Sequence, residues 1–239
     1  MANDYSAIGF RAETDDDLRR IYEENRGRLR RTETADGTVE VLAVGGGPEL
    51  WLYGYPGQAV DPTLCEPFFR FGEPLTAKVA GVFGCEESPC PVLELRFRGD
   101  TFALNMLWLN HLDSTLRAGD MCRVQLILIA QHIQSYRSRR DFFAEQPGRL
   151  DCPAVVPWLD LTRSELREPL AHCVGHGSDA ERRTNPLTKF DCQVLTLRCF
   201  GVPLPIVTDY SFHEFKYHEP GNIVDGVFWV CGTAERIGG

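Results

Sequence analysis

The organisation of this chain is clearest in residues 168–237, which read EPLAHCVGHGSDAERRTNPLTKFDCQVLTLRCFGVPLPIVTDYSFHEFKYHEPGNIVDGVFWVCGTAERI. An apolar run opens the stretch at Leu170 to Val174, and a turn follows at residues 184–188. Two runs with β-strand character fill residues 190–207, and a last strand covers Ile223 to Cys231. Such runs, bounded by Gly, Pro and Asn, are typical of strands joined by turns.

The same order of segments occurs once before, in residues 73–136. Glu73-Pro74-Leu75 opens an apolar run to Phe83, as Glu168-Pro169-Leu170 opens the later one. Two strand-like runs follow in residues 91–108, and a long one covers residues 122–133. We therefore predict an internal duplication.

Each predicted repeat has four or five strands, and a lone sheet of that size would leave its edges open to other chains. Closing the sheet into a small barrel removes those edges. The sequence therefore predicts a mostly β (α+β) chain with two tandem small barrels like the oligonucleotide/oligosaccharide-binding (OB) fold. The expected domains are a cap at 1–72, a first barrel at 73–146, a linker at 147–167 and a second barrel at 168–239.

The N-terminal cap is predicted to contain a helix and a hairpin. Thr14 has the residue type of an N-cap, and Asp17 stands where a capping box places its acid, so we expect a helix over residues 15–28. Asp36-Gly37 is a strong turn dipeptide and predicts a β-hairpin over residues 30–44. A further strand is expected at residues 49–53, and a short helix at residues 138–145.

Composition limits the classes of function. The chain has 239 residues, 43% hydrophobic and 25% charged, and a net charge of −9, which is typical of a soluble globular protein and disfavours binding to a phosphate backbone. The N-terminus lacks the pattern of a signal peptide, and no apolar run is long enough for a membrane span. We therefore expect a cytoplasmic protein whose nine cysteines are reduced thiols.

Several short motifs mark the last third of the chain: Thr184-Asn185-Pro186-Leu187-Thr188, Leu195-Thr196, Asp209, Gly221-Asn222-Ile223-Val224 and Gly226-Val227-Phe228-Trp229. This pattern resembles that of a group of uncharacterised bacterial proteins. The chain departs from it at residues 203–206, where that group has a smoother valine-rich strand. The resemblance implies a shared fold and no particular activity.

Patterns for catalysis or metal binding are weak. His172, His176, Cys192 and Cys199 are the first ligands to consider for zinc, but their spacing is not that of a zinc finger. Cys85 and Cys90 flank a turn, and two thiols alone do not define a site. The sequence has no Gly-x-Ser-x-Gly motif. We therefore predict no catalytic residue, no metal ligand and no cofactor.

The most unusual segment is Tyr210–Glu219, which holds four aromatic residues and two histidines. It lies where an OB-like barrel connects its third and fourth strands, so its rings could contact a ligand or pack into the core. The candidate binding residues are Tyr210, Phe212, His213, Phe215, Lys216, Tyr217, His218, Arg182 and Arg183.

Taken together, these features predict a non-catalytic interaction protein, an acidic cytoplasmic partner or inhibitor of another protein. One alternative is binding of single-stranded nucleic acid or an oligosaccharide through the aromatic segment. Nucleic acid is disfavoured by the net charge of −9. Another alternative is a hydrolase or a metal-dependent enzyme.

Overall fold

The described part of the chain folds into two β-sheets with three short helices. The computed structural model describes residues 4–112, 115–146, 151–158, 165–210 and 218–237. Strands dominate these residues, which confirms the prediction of a mostly β chain. None of the helices in the described part of the chain is long and apolar enough to span a membrane.

The N-terminal segment begins with two helices, α1 (Asp4–Ala7) and α2 (Asp15–Asn25). Thr14 caps α2, because its side chain accepts from the backbone N–H of Asp17 while the Asp17 carboxylate accepts from the N–H of Thr14. A 3-10 turn at Arg26–Arg28 completes the segment. The predicted helix and its capping box are therefore confirmed.

The first sheet has four antiparallel strands in the order β1-β2-β3-β4. They are β1 (Arg30–Thr34), β2 (Gly37–Ala43), β3 (Pro48–Gly54) and β4 (Asp61–Phe69). The predicted hairpin is β1–β2 and the predicted strand is β3. Sequence reasoning missed β4, because Pro62 and Pro67 interrupt its pattern and proline is usual only at sheet edges, where this strand lies.

The second sheet has ten strands in the order β11-β12-β13-β8-β5-β6-β7-β14-β10-β9. They are β5 (Leu75–Phe83), β6 (Val92–Phe97), β7 (Phe102–Trp108), β8 (Met121–Tyr136), β9 (Ala154–Pro157), β10 (Leu170–Gly177), β11 (Glu181–Thr184), β12 (Asp191–Cys199), β13 (Val202–Asp209) and β14 (Ile223–Arg236). A third helix, α3 (Arg139–Glu145), follows β8 where a short helix was predicted, and Ser138 caps it.

The two longest strands, β8 and β14, form an antiparallel ribbon. Every residue of β14 has a partner in β8, from Ile223 opposite Tyr136 to Arg236 opposite Cys122, with one bulge between Val227 and Phe228. Both strands extend further than the sequence predicted. The added length lets each strand pair with elements from both halves of the chain.

The pairings on either side of the ribbon repeat the same scheme. From β8, the antiparallel pairs lead through β5, β6 and β7, and a parallel pair joins β7 to β14. From β14, antiparallel pairs lead through β10, β12 and β13, and a parallel pair joins β13 to β8. The large sheet thus closes partly into a ring.

The expectation of two barrels in tandem, each closed by its own strands, is not confirmed. The strands pair as one ten-stranded sheet, because β8 and β14 take part in the pairings of both halves. The strands of the predicted repeats are present, but the segment expected to be a linker contributes β9, which pairs with β10. Residues 147–150 and 159–164 of that segment lie outside the described residues.

The ribbon separates two layers of core. On its inner face, side chains such as Leu126, Leu128 and Val230 join one cluster with residues from both halves. On its outer face, Ile129 and Trp229 pack in a second cluster with the four-stranded sheet and the N-terminal helices. Side chains alternate between the two faces of a strand, so only one side of the ribbon packs against the four-stranded sheet and the N-terminal helices. We call this sheet and these helices the N-terminal layer.

The parallel junction of β7, β14 and β8 requires a residue without a side chain at Gly232. A Cβ there would lie 2.5 Å from the carbonyl oxygen of Gln125 and 2.9 Å from the Cα of Leu126. We expect Gly232→Ala to lower the free energy of unfolding by about 1–3 kcal/mol, because the backbone of β8 must move. Urea denaturation measures this change.

Gly27→Ala is the matched control, because a Cβ at Gly27 meets nothing within 4 Å. This exposed position should tolerate alanine with no loss, or with a gain of up to about 1 kcal/mol. Equal stability of the two variants would contradict the close approach at the junction.

Candidate functional site

The largest described cavity, with a volume of about 670 Å³, lies between the N-terminal layer and the ribbon. This volume is in the range of sites that bind small molecules or side chains. Its wall comprises Tyr5, Thr63, Leu64, Cys65, Glu66, Pro67, Glu87, Pro89, Gln131, Trp158, Leu170, Val227 and Trp229. We call this space the Trp229 cavity.

The N-terminal wall is held in place by contacts to backbone carbonyls. Tyr5 donates its hydroxyl to the carbonyl of Cys65 at 2.6 Å, which ties α1 to β4. The thiol of Cys231 donates to the carbonyl of Pro67 at 3.1 Å, which ties β14 to the same strand. The wall and the floor of the cavity are therefore joined directly.

The opposite rim depends on Asn105, which is fully buried on β7. Its amide donates to the carbonyls of Trp158 at 3.2 Å and Glu168 at 3.3 Å. The N–H of Trp158 also donates to the carbonyl of Leu170 at 2.8 Å. These bonds position the backbone of Trp158 while its side chain stays 54% exposed.

The loop that carries Glu87 is held by a neighbouring segment. The N–H of Gly84 donates to the carbonyl of Glu165 at 3.1 Å, and the N–H of Arg167 donates to the carbonyl of Gly84 at 3.0 Å. A smaller cavity of about 40 Å³ lies beside this loop, and Trp229 lines it as well as the large one. Trp229 thus contributes to the walls of both spaces.

The charge of the site is negative. Glu66 and Glu87 line the Trp229 cavity, and none of the described residues in its wall is a lysine, an arginine or a histidine. The smaller cavity adds Glu86, Glu168 and Arg167, whose guanidinium lies 4.2 Å from the centre of the Phe83 ring. With four carboxylates and one guanidinium, the two cavities carry a net charge of −3 when all are ionised.

Trp229 leaves a donor unused. Only 9% of the residue is exposed, and its indole N–H has no hydrogen-bond acceptor among the described residues. A buried donor without an acceptor costs about 1–3 kcal/mol. Such groups are uncommon in folded proteins and deserve a functional explanation.

The thiols next to the cavity are not activated nucleophiles. Burial raises the pKa of Cys65 and of Cys90 well above the ordinary value, and the negative charge of Glu66 adds to the effect. Both thiols therefore stay protonated near neutral pH, whereas reactive cysteines have lowered pKa values. None of the nine cysteines forms a disulfide bond.

A histidine–carboxylate pair lies on the outer face of the large sheet. Nε2 of His172 on β10 is 2.5 Å from Oδ1 of Asp225 on β14, and both side chains are partly or largely buried. His172 was considered as a zinc ligand, but Cys192 and Cys199 are buried and donate to backbone carbonyls. Within the described ranges, no group of three or more His, Cys, Asp or Glu is arranged to hold a metal ion.

The predicted binding residues lie elsewhere. The guanidinium of Arg182 is 4.8 Å from the ring centre of Tyr210 and also pairs with Asp191, and Arg183 pairs with Glu181 at 2.8 Å. The structure thus brings two of the candidate binding residues, Arg182 and Tyr210, together. Neither lines the Trp229 cavity. Phe212, His213, Phe215, Lys216 and Tyr217 lie outside the described residues, so a contact surface there stays a prediction.

His218, at the end of the same segment, makes contacts that support the fold. Its Nε2 donates to the carbonyl of Ser178 at 2.7 Å, and its Nδ1 is 3.0 Å from the hydroxyl of Ser135. A Cβ on Gly177 would lie 2.5 Å from the imidazole, so the ring packs on that glycine. These bonds connect β8 to the end of β10.

Sequence reasoning missed Glu66, Trp158 and Trp229 as site residues. Trp229 falls within the predicted final strand and Trp158 within the predicted linker, and neither position by itself indicates a site. A signal existed at Glu66, a charged residue in the middle of the apolar run of residues 64–69. That run was unassigned, so its acid was not recognised as part of a buried strand.

Protonation of His218 should destabilise the protein. Burial lowers the pKa of His218, and this outweighs the opposing hydrogen bond to Ser178 and the charges of Asp179 and Glu219. The unfolded state then binds the proton more readily, so the free energy of unfolding should fall as pH decreases below about 6.5. Urea denaturation between pH 8 and pH 5 measures the dependence, in steps of about half a unit.

His218→Gln should make the free energy of unfolding less dependent on pH between pH 8 and pH 5. His176→Gln is the control, because His176 is exposed and bonds only through Nδ1 to the carbonyl of Gly221 among its described contacts. A slope that is the same in the wild type and in His218→Gln would contradict the assignment.

No protein-family model matches the sequence, and neither a curated protein nor a solved structure shows significant similarity to it. The function must therefore be argued from the site itself.

Proposed function

We propose that this chain is a non-catalytic binding protein whose ligand is another protein. The observation that carries the proposal is the Trp229 cavity, which is open to a ligand, aromatic in part and free of basic side chains among its described lining residues. The chain as a whole carries a net charge of the same sign, −9. An acidic binding protein with such a cavity suits a partner of opposite charge.

Exposed apolar residues near the cavity support a protein as the ligand. Trp158 is 54% exposed at its rim, and Val156, 45% exposed, precedes it by two residues in the chain. Tyr55 is 55% exposed and lines a neighbouring cavity that shares Leu64 and Pro89 with the large one. Aromatic anchors beside a pocket are typical of the centre of protein interfaces.

The alternatives receive less support from the described residues. Binding of nucleic acid needs free basic groups, yet Arg182 and Arg183 each pair with a carboxylate. Hydrolysis through a cysteine needs a thiolate, and burial raises the pKa of Cys65 and Cys90. The pair of His172 and Asp225 has the chemistry of a general base, but no nucleophile is seen hydrogen-bonded to it among the described contacts.

We also propose that the two halves arose by duplication of one OB-like unit. The pairings from β8 through β5, β6 and β7 to β14 correspond, strand for strand and direction for direction, to those from β14 through β10, β12 and β13 to β8. In this proposal each long strand closes its own unit and also completes the other. A surface of OB-like type is compatible with many functions, so this origin does not choose the ligand.

Trp158→Ala tests the binding face. Partners captured on the immobilised wild-type protein from a lysate of the source cells should be lost on this variant, because an aromatic anchor contributes about 2 kcal/mol or more, roughly thirtyfold in affinity. The melting temperature should change little, since the side chain is more than half exposed. Quantitative mass spectrometry of the eluted proteins measures the capture.

Tyr210→Ala is the matched control, because Tyr210 is 47% exposed and does not line the cavity. It should retain every partner that the wild type captures. If Trp158→Ala retains the partner and Tyr210→Ala loses it, the binding face is the segment predicted from the sequence and the cavity is not the site.

A further inference from the structure

We propose that Cys85 and Cys90 form a reversible disulfide bond when the folded protein meets a small disulfide such as oxidised glutathione. The two residues begin and end the loop between β5 and β6, and we call residues 85–90 the Cys85 loop. Both are thiols in this structure. The inference goes beyond the proposed function and does not depend on it.

The hairpin of β5 and β6 brings the two cysteines together. Its last pair is Phe83 opposite Val92, and Cys85 and Cys90 stand two positions beyond that pair, one on each side. Residues opposite each other in an antiparallel hairpin have Cα atoms about 4.5–5.5 Å apart. A disulfide bond needs Cα atoms about 4.4–6.8 Å apart. The register of the hairpin therefore gives the spacing that the bond requires.

Both ends of the Cys85 loop are anchored just outside the cysteines. Before the loop, the N–H of Gly84 donates to the carbonyl of Glu165, and the carbonyl of Gly84 accepts from the N–H of Arg167. After the loop, the carbonyl of Pro91 accepts from the N–H of Trp108 at 2.8 Å. The bond would therefore close a short loop whose two ends are already fixed, and the strands of the sheet need not separate.

Ser88 contacts both cysteines from the middle of the loop. Its hydroxyl accepts from the backbone N–H of Cys90 at 3.1 Å. The same side chain also forms a hydrogen bond with the thiol of Cys90, while the backbone of Ser88 forms one with the thiol of Cys85. Two sulfur atoms that share one small neighbour lie close to each other.

The two thiols differ in their access to a reagent. Cys85 is partly exposed and lines the cavity of about 40 Å³, whereas Cys90 is 1% exposed. A small disulfide can therefore reach Cys85 directly. Cys90 reacts afterwards from inside the protein, with the sulfur of Cys85 as its partner.

The reaction consists of two thiol–disulfide exchanges. The thiolate of Cys85 attacks one sulfur of oxidised glutathione, breaks its S–S bond and releases one glutathione thiolate, which takes up a proton. Cys90 then loses its proton, attacks the sulfur of Cys85 and releases the second glutathione. In total the protein gives up two thiol hydrogens and two electrons, and one oxidised glutathione becomes two reduced ones.

The reaction should be slow at neutral pH and faster in alkaline solution. Burial raises the pKa of Cys85, against the hydrogen bonds from the backbone of Glu87 and Ser88, and burial also raises the pKa of Cys90. Only the thiolate attacks, so its rising fraction sets the rate. The closeness of the two thiols, and not an activated cysteine, is what favours the bond.

The bond would act on the wall of the Trp229 cavity. Glu87 and Pro89 belong to the Cys85 loop and line that cavity, and Glu87 also lines the smaller one with Cys85. Cross-linking the ends of the loop limits the positions that these two residues can take. Oxidation thus restricts one side of the cavity without touching the ribbon.

Peptide mapping of the oxidised protein tests the inference. The folded protein is incubated with oxidised glutathione at pH 8 and digested with trypsin after its remaining thiols are blocked. Both cysteines fall in the tryptic peptide Val79–Arg96, which contains no other cysteine. This peptide should become lighter by two hydrogen atoms, and the free thiols should fall by two, from nine to seven. Reduction with dithiothreitol should restore all nine.

Cys173 and Cys199 are an internal control for closeness without access. The charge of Cys199 acts on Cys173, so the two are near each other, but both are fully buried. They should keep their thiols in the folded protein under the same conditions.

Two variants test the order of the steps. Cys90→Ser should stop after the first exchange and carry one glutathione on Cys85, because the second thiol is missing. Cys85→Ser should leave the peptide unmodified, because Cys90 is buried. Cys90→Ser needs a check of the melting temperature; Cys85→Ser changes a partly exposed residue and gives a reading that does not depend on that check.

Three results would overturn the inference: nine thiols that persist in the folded protein, oxidation of Cys173 with Cys199 as readily as of the proposed pair, or glutathione that stays on Cys85 of the wild type without being displaced. Each is independent of the capture experiment with Trp158→Ala, so the proposed function is judged separately.

Discussion

The structure depends on the antiparallel pairing of β8 with β14. Each strand contributes one edge to this ribbon. Its other edge pairs with two further strands at different points along its length: β5 and β13 for β8, and β10 and β7 for β14. Loss of the ribbon would open the pairings of both halves at once. Its paired residues lie roughly 100 positions apart, so a large loop must close before the ribbon forms. The two halves are for this reason expected to fold together.

The ribbon also creates the site. Because side chains alternate across a strand, one face of β14 enters the common core of both halves, while Val227 and Trp229 point to the other side. The N-terminal sheet covers this outer face only in part. The uncovered part becomes the floor of the Trp229 cavity, and the acids of β4 and of the loop after β5 form its walls. The acidic character of the site is thus contributed by segments from different parts of the chain.

Local patterns in the sequence predicted the elements well and their assembly less well. Thr14, Asp36-Gly37 and Ser138 each act through neighbours a few residues away, so the helices and the hairpin could be placed. The strand that pairs with β14 could not be predicted, because a strand from either half of the chain would satisfy the same alternating pattern. The cavity was missed for a related reason: Glu66, Trp158 and Trp229 are distant in sequence, and only the pairing of the sheets brings them together.

Native-state hydrogen exchange, resolved by residue, tests the dependence on the ribbon most directly. The amides of β8 and β14 that pair with each other should exchange last, and they should do so only through global unfolding with one common free energy in both halves. The strands at the sheet edges, β1, β9 and β11, should exchange earlier. Two distinct free energies, one for residues 73–136 and another for residues 168–237, would contradict a fold held together by a shared ribbon.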